Sequence, residues 1–315
     1  MNQSRKITDG ALLTAVYVVL LLLVIFIPFF ISFGVFILSI PFIIYAAKYN
    51  WKPSLIMFSV AILLSFVFAT IVSLPLTLLA GIGGIAIGST MSMNLSAYEV
   101  WARGTLGFIV GFVLVVLILQ FVLNINIYAE MDIIIEESIN MMKTIIDQFD
   151  FSAEVENQIV MFEEQMYTFK DLLPSSIALV SILFAFLSQW ISYKIINKME
   201  NRNLSFPPFK NFNLPVAVLW IYFFALILSF IDLNHDDGLY LVILNIIALT
   251  IVLIAIQGFS FVFFYADLKN LHKAIPIMVV VLTLLLPFLF LFIIRIIGII
   301  DLGFSLKSRL ANEDS

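Results

Sequence analysis

Cysteine is absent from the sequence, and histidine occurs only at His235 and His272. Disulfide bridges and cysteine-ligated metal sites are therefore excluded, as is a metal site that needs several histidines. Charged residues are also scarce: they make up 12% of the 315 residues, whereas a soluble domain carries about a quarter. We expect no bound metal and no cofactor, and the charges are too few for a water-soluble fold.

Apolar residues take the place of the missing charges. They form 63% of the sequence, 32 residues are phenylalanine, and the mean hydropathy is +1.13. A bilayer accommodates such a chain because lipid, rather than water, surrounds the apolar faces of helices whose backbone hydrogen bonds are internally satisfied. The composition predicts an all-α, polytopic transmembrane helical bundle whose main partner is the lipid bilayer, and it gives no sign of nucleic-acid binding.

Apolar runs of spanning length recur along the chain, since a membrane helix needs about 20 residues. We expect the first run to be retained, because it is too long for a signal peptide and lacks a cleavage site. The last run contains Pro287, Gly298 and Gly303, which allow a broken or re-entrant element. The runs predict about eight or nine spans, at residues 11–28, 31–47, 54–73, 75–92, 104–124, 174–193, 214–231, 239–265 and 276–300.

One segment in the middle of the chain has the opposite character. Residues 125–172 contain eleven acids against two cations, Lys143 and Lys170, which gives a local net charge of −9. Such a segment belongs in water. We therefore predict three parts: a first membrane bundle at 1–124, an acidic extracytoplasmic helical insert at 125–173, and a second membrane bundle at 174–315.

Heptad spacing of apolar residues in the insert predicts two amphipathic helices, separated by residues 150–152. The simplest arrangement is a self-packed antiparallel hairpin or two helices folded against the membrane surface, while a homo-oligomer or partner contact and a cation-binding surface stay open. The predicted apolar stripes are Met131, Ile135, Ser138, Met142, Ile145 and Phe149 on the first helix, and Val155, Ile159, Phe162, Met166 and Phe169 on the second.

Positive residues predict the orientation, because loops rich in lysine and arginine stay in the cytoplasm. With the N-terminus inside, eleven lysines and arginines between Arg5 and Lys273 fall in cytoplasmic segments. The segments predicted to lie outside contain only two such residues before the last apolar run, Lys143 and Lys170. We predict a bacterial cell membrane protein with a cytoplasmic N-terminus. The side of the C-terminus depends on whether 276–304 crosses once or re-enters.

Small residues recur at four-residue spacing, which lets helix backbones approach closely. For Ala80, Gly84 and Gly88 in one span, and for Gly107 and Gly111 in the next, we predict packing within the chain. Ala11 and Ala15 lie at a predicted cytoplasmic edge, where two alternatives remain: packing within the chain, or docking of a partner.

Three segments of the chain resemble the YybS-like family of bacterial membrane proteins, a family of unknown function. They are the opening Asp9-Gly10-Ala11-Leu-Leu-Thr-Ala15, the glycine-rich span from Leu79 to Gly88 followed by Arg103-Gly104-Thr-Leu-Gly107, and the end from Ile297 to Lys307. The N-terminal part is also similar to S components, the substrate-binding subunits of energy-coupling-factor vitamin transporters. That resemblance implies that Ala11 and Ala15 dock a membrane coupling subunit. The chain departs from the S-component pattern in two respects: it has more spans, and it carries the acidic insert.

The sequence lacks three common catalytic motifs. The sequence has no HExxH motif, no GxSG element and no phosphate-binding glycine-rich loop followed by lysine, so we do not expect an enzyme. A turn at His235, Asp236 and Asp237 is interpreted as a polar turn, with a cation site or pH sensor as the alternative.

Few polar residues lie inside the spans, where they are costly and often functional. Gln189, Asn245 and Gln257 have two interpretations, hydrogen bonding between helices or lining of a ligand cavity. Arg295 is six residues from Asp301, too far for pairing on one helix. A break at Gly298 would bring them together; the alternative is an arginine whose side chain extends to the membrane interface.

Two functions follow from these patterns. The first is a membrane-embedded solute-binding or transport-associated subunit that resembles an S component. The alternative is a structural or regulatory scaffold that oligomerises or binds a partner through its acidic extracytoplasmic helices.

Overall fold

The computed structural model describes residues 3–27, 29, 34, 36–149, 153–234 and 237–313. Within these ranges the chain is helical and contains no strand, which confirms the all-α prediction. Short 3-10 turns occur at Ile71–Ser73 and Phe209–Asn211. The α-helices are α1 (Gln3–Phe26), α2 (Ile40–Tyr49), α3 (Trp51–Ala69), α4 (Leu74–Met91), α5 (Ala97–Phe121), α6 (Ile127–Phe149), α7 (Ala153–Asp171), α8 (Leu173–Glu200), α9 (Ala217–Leu228), α10 (Gly238–Leu268), α11 (Ala274–Leu285), α12 (Pro287–Phe304) and α13 (Leu306–Glu313).

Seven of the described helices are long and apolar enough to cross a bilayer: α1, α3, α4, α5, α8, α10 and α12. Three shorter apolar helices join them, at Phe36–Tyr49 (which includes α2), Ala217–Leu228 (α9) and Ala274–Leu285 (α11). The polytopic helical bundle predicted from composition is therefore confirmed. The shorter helices lie in the predicted spans 31–47, 214–231 and 276–300, and the last of these runs is two helices rather than one.

The chain forms two compact units. The first comprises Met1–Lys170 with Ile177–Phe206, and the second comprises Asp171–Ser176 with Pro207–Ser315. The three-part division at residues 124 and 173 stays a prediction. It separates aqueous from membrane-embedded segments, whereas the two units are defined by their compactness.

Helix α4 is central to the first unit. Its most apolar stretch is 61% buried, against 22% for the corresponding stretches of α3 and α5. Glycines permit this, because a Cβ at Gly84 would lie 2.7 Å from the Ser39 carbonyl oxygen of the neighbouring segment. The small residues Ala80, Gly84, Gly88, Gly107 and Gly111 are all buried, and the four glycines face neighbouring helices of the same unit.

The acidic insert in the first unit is a pair of helices, α6 and α7, which pack on each other. Their buried core contains Ile135, Ile139 and Ile159. An ion pair of 2.6 Å joins Lys170, at the end of α7, to Asp132, near the start of α6. The two helices are therefore antiparallel, as expected for a hairpin. Residues 150–152 between them lie outside the described residues.

The predicted register of the first stripe is wrong by one residue at two positions. Ile139 and Ile146 contribute to the core in place of Ser138 and Ile145, and Ile145 is exposed. On the second helix Ile159 and Met166 pack as predicted, whereas Phe162 and Phe169 are exposed.

Helix α10 forms the axis of the second unit. Near its start, the Asn245 side chain accepts a hydrogen bond from the Ser175 backbone nitrogen (2.8 Å) and donates one to the Asp171 carbonyl oxygen (2.8 Å). Near its end, the Ser260 hydroxyl donates to the carbonyl oxygens of Phe209 and Phe212. Residues 171–175 and 209–212 therefore lie at opposite ends of α10.

The last apolar run changes direction at Pro287. Leu286 leaves helical geometry (φ −129°, ψ 63°) and separates α11 from α12, as expected for a residue that precedes proline. Helix α12 then runs parallel to α10, because Gly298 lies against Ile254 and, further along both helices, Asp301 contacts Gln257. The chain end thus returns to the end of α10 at which α11 began.

Candidate functional site

Buried polar groups converge in the second unit between α10, α12 and the residues that precede α9. Gln257 is 0% exposed and Asp301 is 3% exposed. The Gln257 amide nitrogen donates to the Asp301 carboxylate (2.6 Å) and to the Asn213 side-chain oxygen (2.9 Å). Its amide oxygen accepts from the Leu214 backbone nitrogen (2.9 Å). The amide is therefore fully engaged and holds Asp301 in one position.

Two glycines bring the helices of this site together. A Cβ at Gly258 would clash with the Ile294 carbonyl oxygen, and a Cβ at Gly298 would clash with the Ile254 carbonyl oxygen. Because neither residue has a side chain, the backbones of α10 and α12 touch. Gln257 and Asp301 flank this crossing, so it places the carboxylate within reach of the amide.

Lys307 completes the cluster from outside the last apolar helix. Ser305 adopts a left-handed conformation (φ 51°, ψ 47°) that ends α12 and turns the chain back. The Lys307 ammonium then donates to the Phe212 carbonyl oxygen (2.7 Å) and the Ser260 hydroxyl (2.8 Å), and lies 3.6 Å from an Asp301 oxygen. Burial lowers the pKa of this ammonium, and the Asp301 carboxylate opposes that shift only in part.

A cavity of about 340 Å³ adjoins the cluster. Its wall offers ammonium, amide, hydroxyl and carboxylate groups in one place, which is a donor and acceptor set suited to a small polar solute. The polar lining residues are Lys210, Asn211, Asn213, Asp301, Ser305, Lys307 and Ser308. Lys210 also forms a 2.5 Å ion pair with Asp267, so its positive charge is balanced.

Arg295 does not join this cluster, and the conditional pairing with Asp301 through a break at Gly298 is wrong. Helix α12 continues through Gly298, and six residues on a helix place two side chains on different faces, about 9 Å apart along the axis. The Arg295 guanidinium lies 5.3 Å from the centre of the Phe292 ring instead.

The other polar residues named from the sequence hold helices together. The Gln189 amide nitrogen donates to the Ala97 carbonyl oxygen (2.9 Å) and the Tyr193 hydroxyl (2.8 Å), which ties α8 to the start of α5. Asn245 fixes the start of α8 through Asp171 and Ser175, as described above. Neither residue lines the cavity beside Asp301.

Ala11 and Ala15 differ from the other small-residue motifs because they are exposed. They line an apolar groove of about 810 Å³ between α1 and α3, with Tyr45 of α2 at its wall. The α1–α3 groove is wholly within the first unit. No helix of the described chain fills it, and both alternatives for this pair, packing within the chain and docking of a partner, stay predictions.

Sequence reasoning named Gln257 and Asp301 but missed Lys307, Asn213 and Gly258. A polar residue inside an apolar run stands out, whereas Lys307 follows the last run and resembles an ordinary flanking cation. The spacing of Asp301 and Lys307 gave no signal because the Ser305 turn creates their contact. His235 and Asp236 of the predicted polar turn lie outside the described residues.

Comparison with known proteins agrees with the membrane fold. The family described as "Predicted membrane protein (DUF2232)" matches residues 15–302. The chain is 28% identical over 309 residues to "Uncharacterized protein YybS" of Bacillus subtilis (strain 168), an alignment that covers 98% of this chain and 99% of that protein. No solved structure matches the chain.

Proposed function

The chain belongs to the DUF2232 family of predicted membrane proteins, and we propose that it is a membrane-embedded, solute-binding or transport-associated subunit. The observation that carries the proposal is the buried Asp301–Lys307 pair beside an open polar cavity. Ionisable groups within a membrane bundle are costly, and they commonly mark the path or site of a solute. A purely apolar contact between α10 and α12 would have held the helices together without them.

The solute class follows from the cavity wall. Asn211, Asn213, Ser305 and Ser308 offer both donor and acceptor groups, while the charges of Lys210 and Lys307 are balanced by Asp267 and Asp301. A volume of about 340 Å³ limits the solute to a small molecule. We therefore propose a small polar solute that carries both donor and acceptor groups.

Transport would require a partner, because the sequence contains no phosphate-binding glycine-rich loop. The S-component likeness proposes that a membrane coupling subunit docks at Ala11 and Ala15. Their exposure supports this, since every other small-residue motif is covered by the chain itself. Replacing both alanines with leucine should abolish co-purification of such a subunit.

A matched control for that experiment is Leu12→Trp on the same helix. Leu12 is 64% exposed and does not line the groove, so its replacement should leave co-purification unchanged. If the double leucine variant still co-purifies with its partner, docking at this groove is refuted.

The orientation also belongs to this proposal. We place the N-terminus in the cytoplasm of a bacterial cell and the acidic insert outside, because eleven cations flank the predicted cytoplasmic ends. Since α12 returns to the end of α10, the same argument places Lys307 and Arg309 inside. Lys307 and Arg309 then obey the positive-inside preference, which a single crossing of 276–304 would violate.

The solute itself can be sought by native mass spectrometry of the protein released from its own membrane. A bound small molecule appears as a reproducible mass increment, and its fragmentation reports its chemistry. Preparations that repeatedly show the bare chain mass would count against solute binding.

The scaffold alternative rests on a different surface. Helix α6 exposes Ile134, Met141 and Ile145, which share one face at heptad spacing and lie beside, not within, the hairpin core. Replacing Met141 and Ile145 with aspartate should break an oligomer without unfolding the hairpin. An unchanged particle size in detergent would reject this alternative.

A further inference from the structure

The α1–α3 groove has a polar end and an apolar end. Lys6 and Lys52 stand at the end where both helices begin, and Ile56, Val60 and Leu64 line the remainder. The two helices run parallel: Tyr45 and Lys48 connect to the early turns of α1, and Lys52 follows three residues after Tyr49. Lys6 and Lys52 therefore lie at the same height along the two parallel helices.

No carboxylate neutralises these lysines within the described chain. The nearby acid, Asp9, does not line the groove and binds Lys48 and the Tyr49 hydroxyl, both at 2.6 Å. Neither Lys6 nor Lys52 forms an ion pair with a described residue. The mouth of the groove thus carries two positive charges that no described carboxylate balances, with the Lys52 ammonium 5.7 Å from the centre of the Trp51 ring.

The length of the groove matches one leaflet. Its lining extends from Gln3 to Ala15 on α1 and from Lys52 to Leu64 on α3, which is about 18 Å of helix in each case. Half of a hydrocarbon core of about 30 Å is about 15 Å. Trp51, beside Lys52, marks the membrane interface at the mouth, where tryptophan is enriched.

We propose that the α1–α3 groove binds an anionic phospholipid. Its phosphate group contacts Lys6 and Lys52, and one acyl chain lies along Ala11, Ala15 and Val60. Small residues at the floor leave room for the chain, and the charge at the mouth selects an anionic headgroup over a zwitterionic one. The site is independent of the solute cavity; a coupling helix that docks at Ala11 and Ala15 would have to displace this lipid.

Charge complementarity favours lipid over a permanently bound helix. An apolar membrane helix would cover the floor but leave both lysines without a counter-charge. An anionic lipid satisfies both ends of the groove with one molecule, and it requires no partner chain.

The test measures lipid retained by the full-length protein. Purified protein is equilibrated in micelles with equal amounts of palmitoyl-oleoyl phosphatidylglycerol and phosphatidylcholine, and retained lipid is counted by native mass spectrometry. The wild type should retain phosphatidylglycerol roughly thirtyfold over phosphatidylcholine, as expected for two lysines near a headgroup.

Two double variants separate the contribution of the headgroup contacts from that of the apolar floor. Lys6→Gln with Lys52→Gln should retain both lipids equally, and Ala11→Leu with Ala15→Leu should retain neither. Lys143→Gln with Lys198→Gln, which removes the same charge away from the groove, should keep the wild-type preference.

Three results would overturn the proposal. One is equal retention of both lipids by the wild type, and another is loss of the preference in the control pair, which would show a general charge effect. The third is unchanged lipid in the double leucine variant together with loss of a co-purified membrane protein, which would assign the groove to a partner helix. That last result would leave the solute proposal untouched.

Discussion

The Lys307 ammonium and the Asp301 carboxylate face each other at 3.6 Å, although they belong to different helices on either side of a left-handed turn. The Asp301 side chain is 2% exposed and the Lys307 side chain is 14% exposed. A pair buried to this extent loses its hydration, and hydrogen bonds from Gln257 and the Lys307 backbone offset that loss.

The first prediction concerns this pair. Asp301→Asn and Lys307→Met should each lower the free energy of unfolding by about 3 kcal/mol, because each leaves a buried charge without its partner. The double variant should lose clearly less than the two single losses together. Thermal unfolding of the detergent-solubilised protein measures all three. Additive losses would show that the two groups do not interact.

The second prediction concerns the contact of α10 with α12. Gly258→Ala should destabilise the protein by about 1–3 kcal/mol, because its methyl group would meet the Ile294 carbonyl oxygen, which belongs to rigid backbone. The control is Gly238→Ala at the start of α10, where no atom lies within 4 Å of the added Cβ. That control should change stability by no more than about 0.5 kcal/mol. Equal effects of the two substitutions would disprove the close approach.

The third prediction concerns the register of the insert. Ile139→Asp should open the hairpin, because Ile139 is 3% exposed in its core, whereas Ile145→Asp should be tolerated because Ile145 is 47% exposed. Amide hydrogen exchange of α6 and α7 reports the difference, with faster exchange only in the first variant. The reverse pattern would restore the register predicted from the sequence.

The fourth prediction concerns the return of the chain end. Because the protein has no cysteine, single cysteines at Ser4, Asn140 and Arg309 can be labelled without background. A membrane-impermeant maleimide applied to intact cells should label Asn140→Cys alone, and all three after lysis. Labelling of Arg309→Cys in intact cells would place the chain end outside and contradict the paired arrangement of α11 and α12.

Much of the architecture was predictable because hydropathy is a local property. Spanning helices and the acidic hairpin could be identified within single windows of sequence, and Gln257 and Asp301 stood out as polar residues in apolar runs. Pro287 marked the break between α11 and α12 for the same reason, since its effect on the preceding residue is local.

The remaining features depend on contacts between distant segments. In the insert, Ile135, Ser138, Met142 and Ile145 are spaced 3-4-3, and Ile135, Ile139, Met142 and Ile146 are spaced 4-3-4. Both spacings fit one face of a helix, so the pattern could not decide between them. The sequence allowed a break at Gly298, whereas in the structure its missing side chain lets α12 approach Ile254 and Gly258. Lys307 reaches Asp301 only through the Ser305 turn, which no periodic pattern encodes.

The central claim is that the cavity beside Asp301 and Lys307 holds a small polar solute. Ser308 lines this cavity without joining the buried cluster, so Ser308→Trp fills the space and leaves the charged pair intact. Its neighbour Arg309 is exposed and does not line the cavity, which makes Arg309→Trp the control. Native mass spectrometry should show one bound small molecule on the wild type and on the control, and none on Ser308→Trp. An increment that survives Ser308→Trp, or is absent from the wild type, would contradict the proposed function.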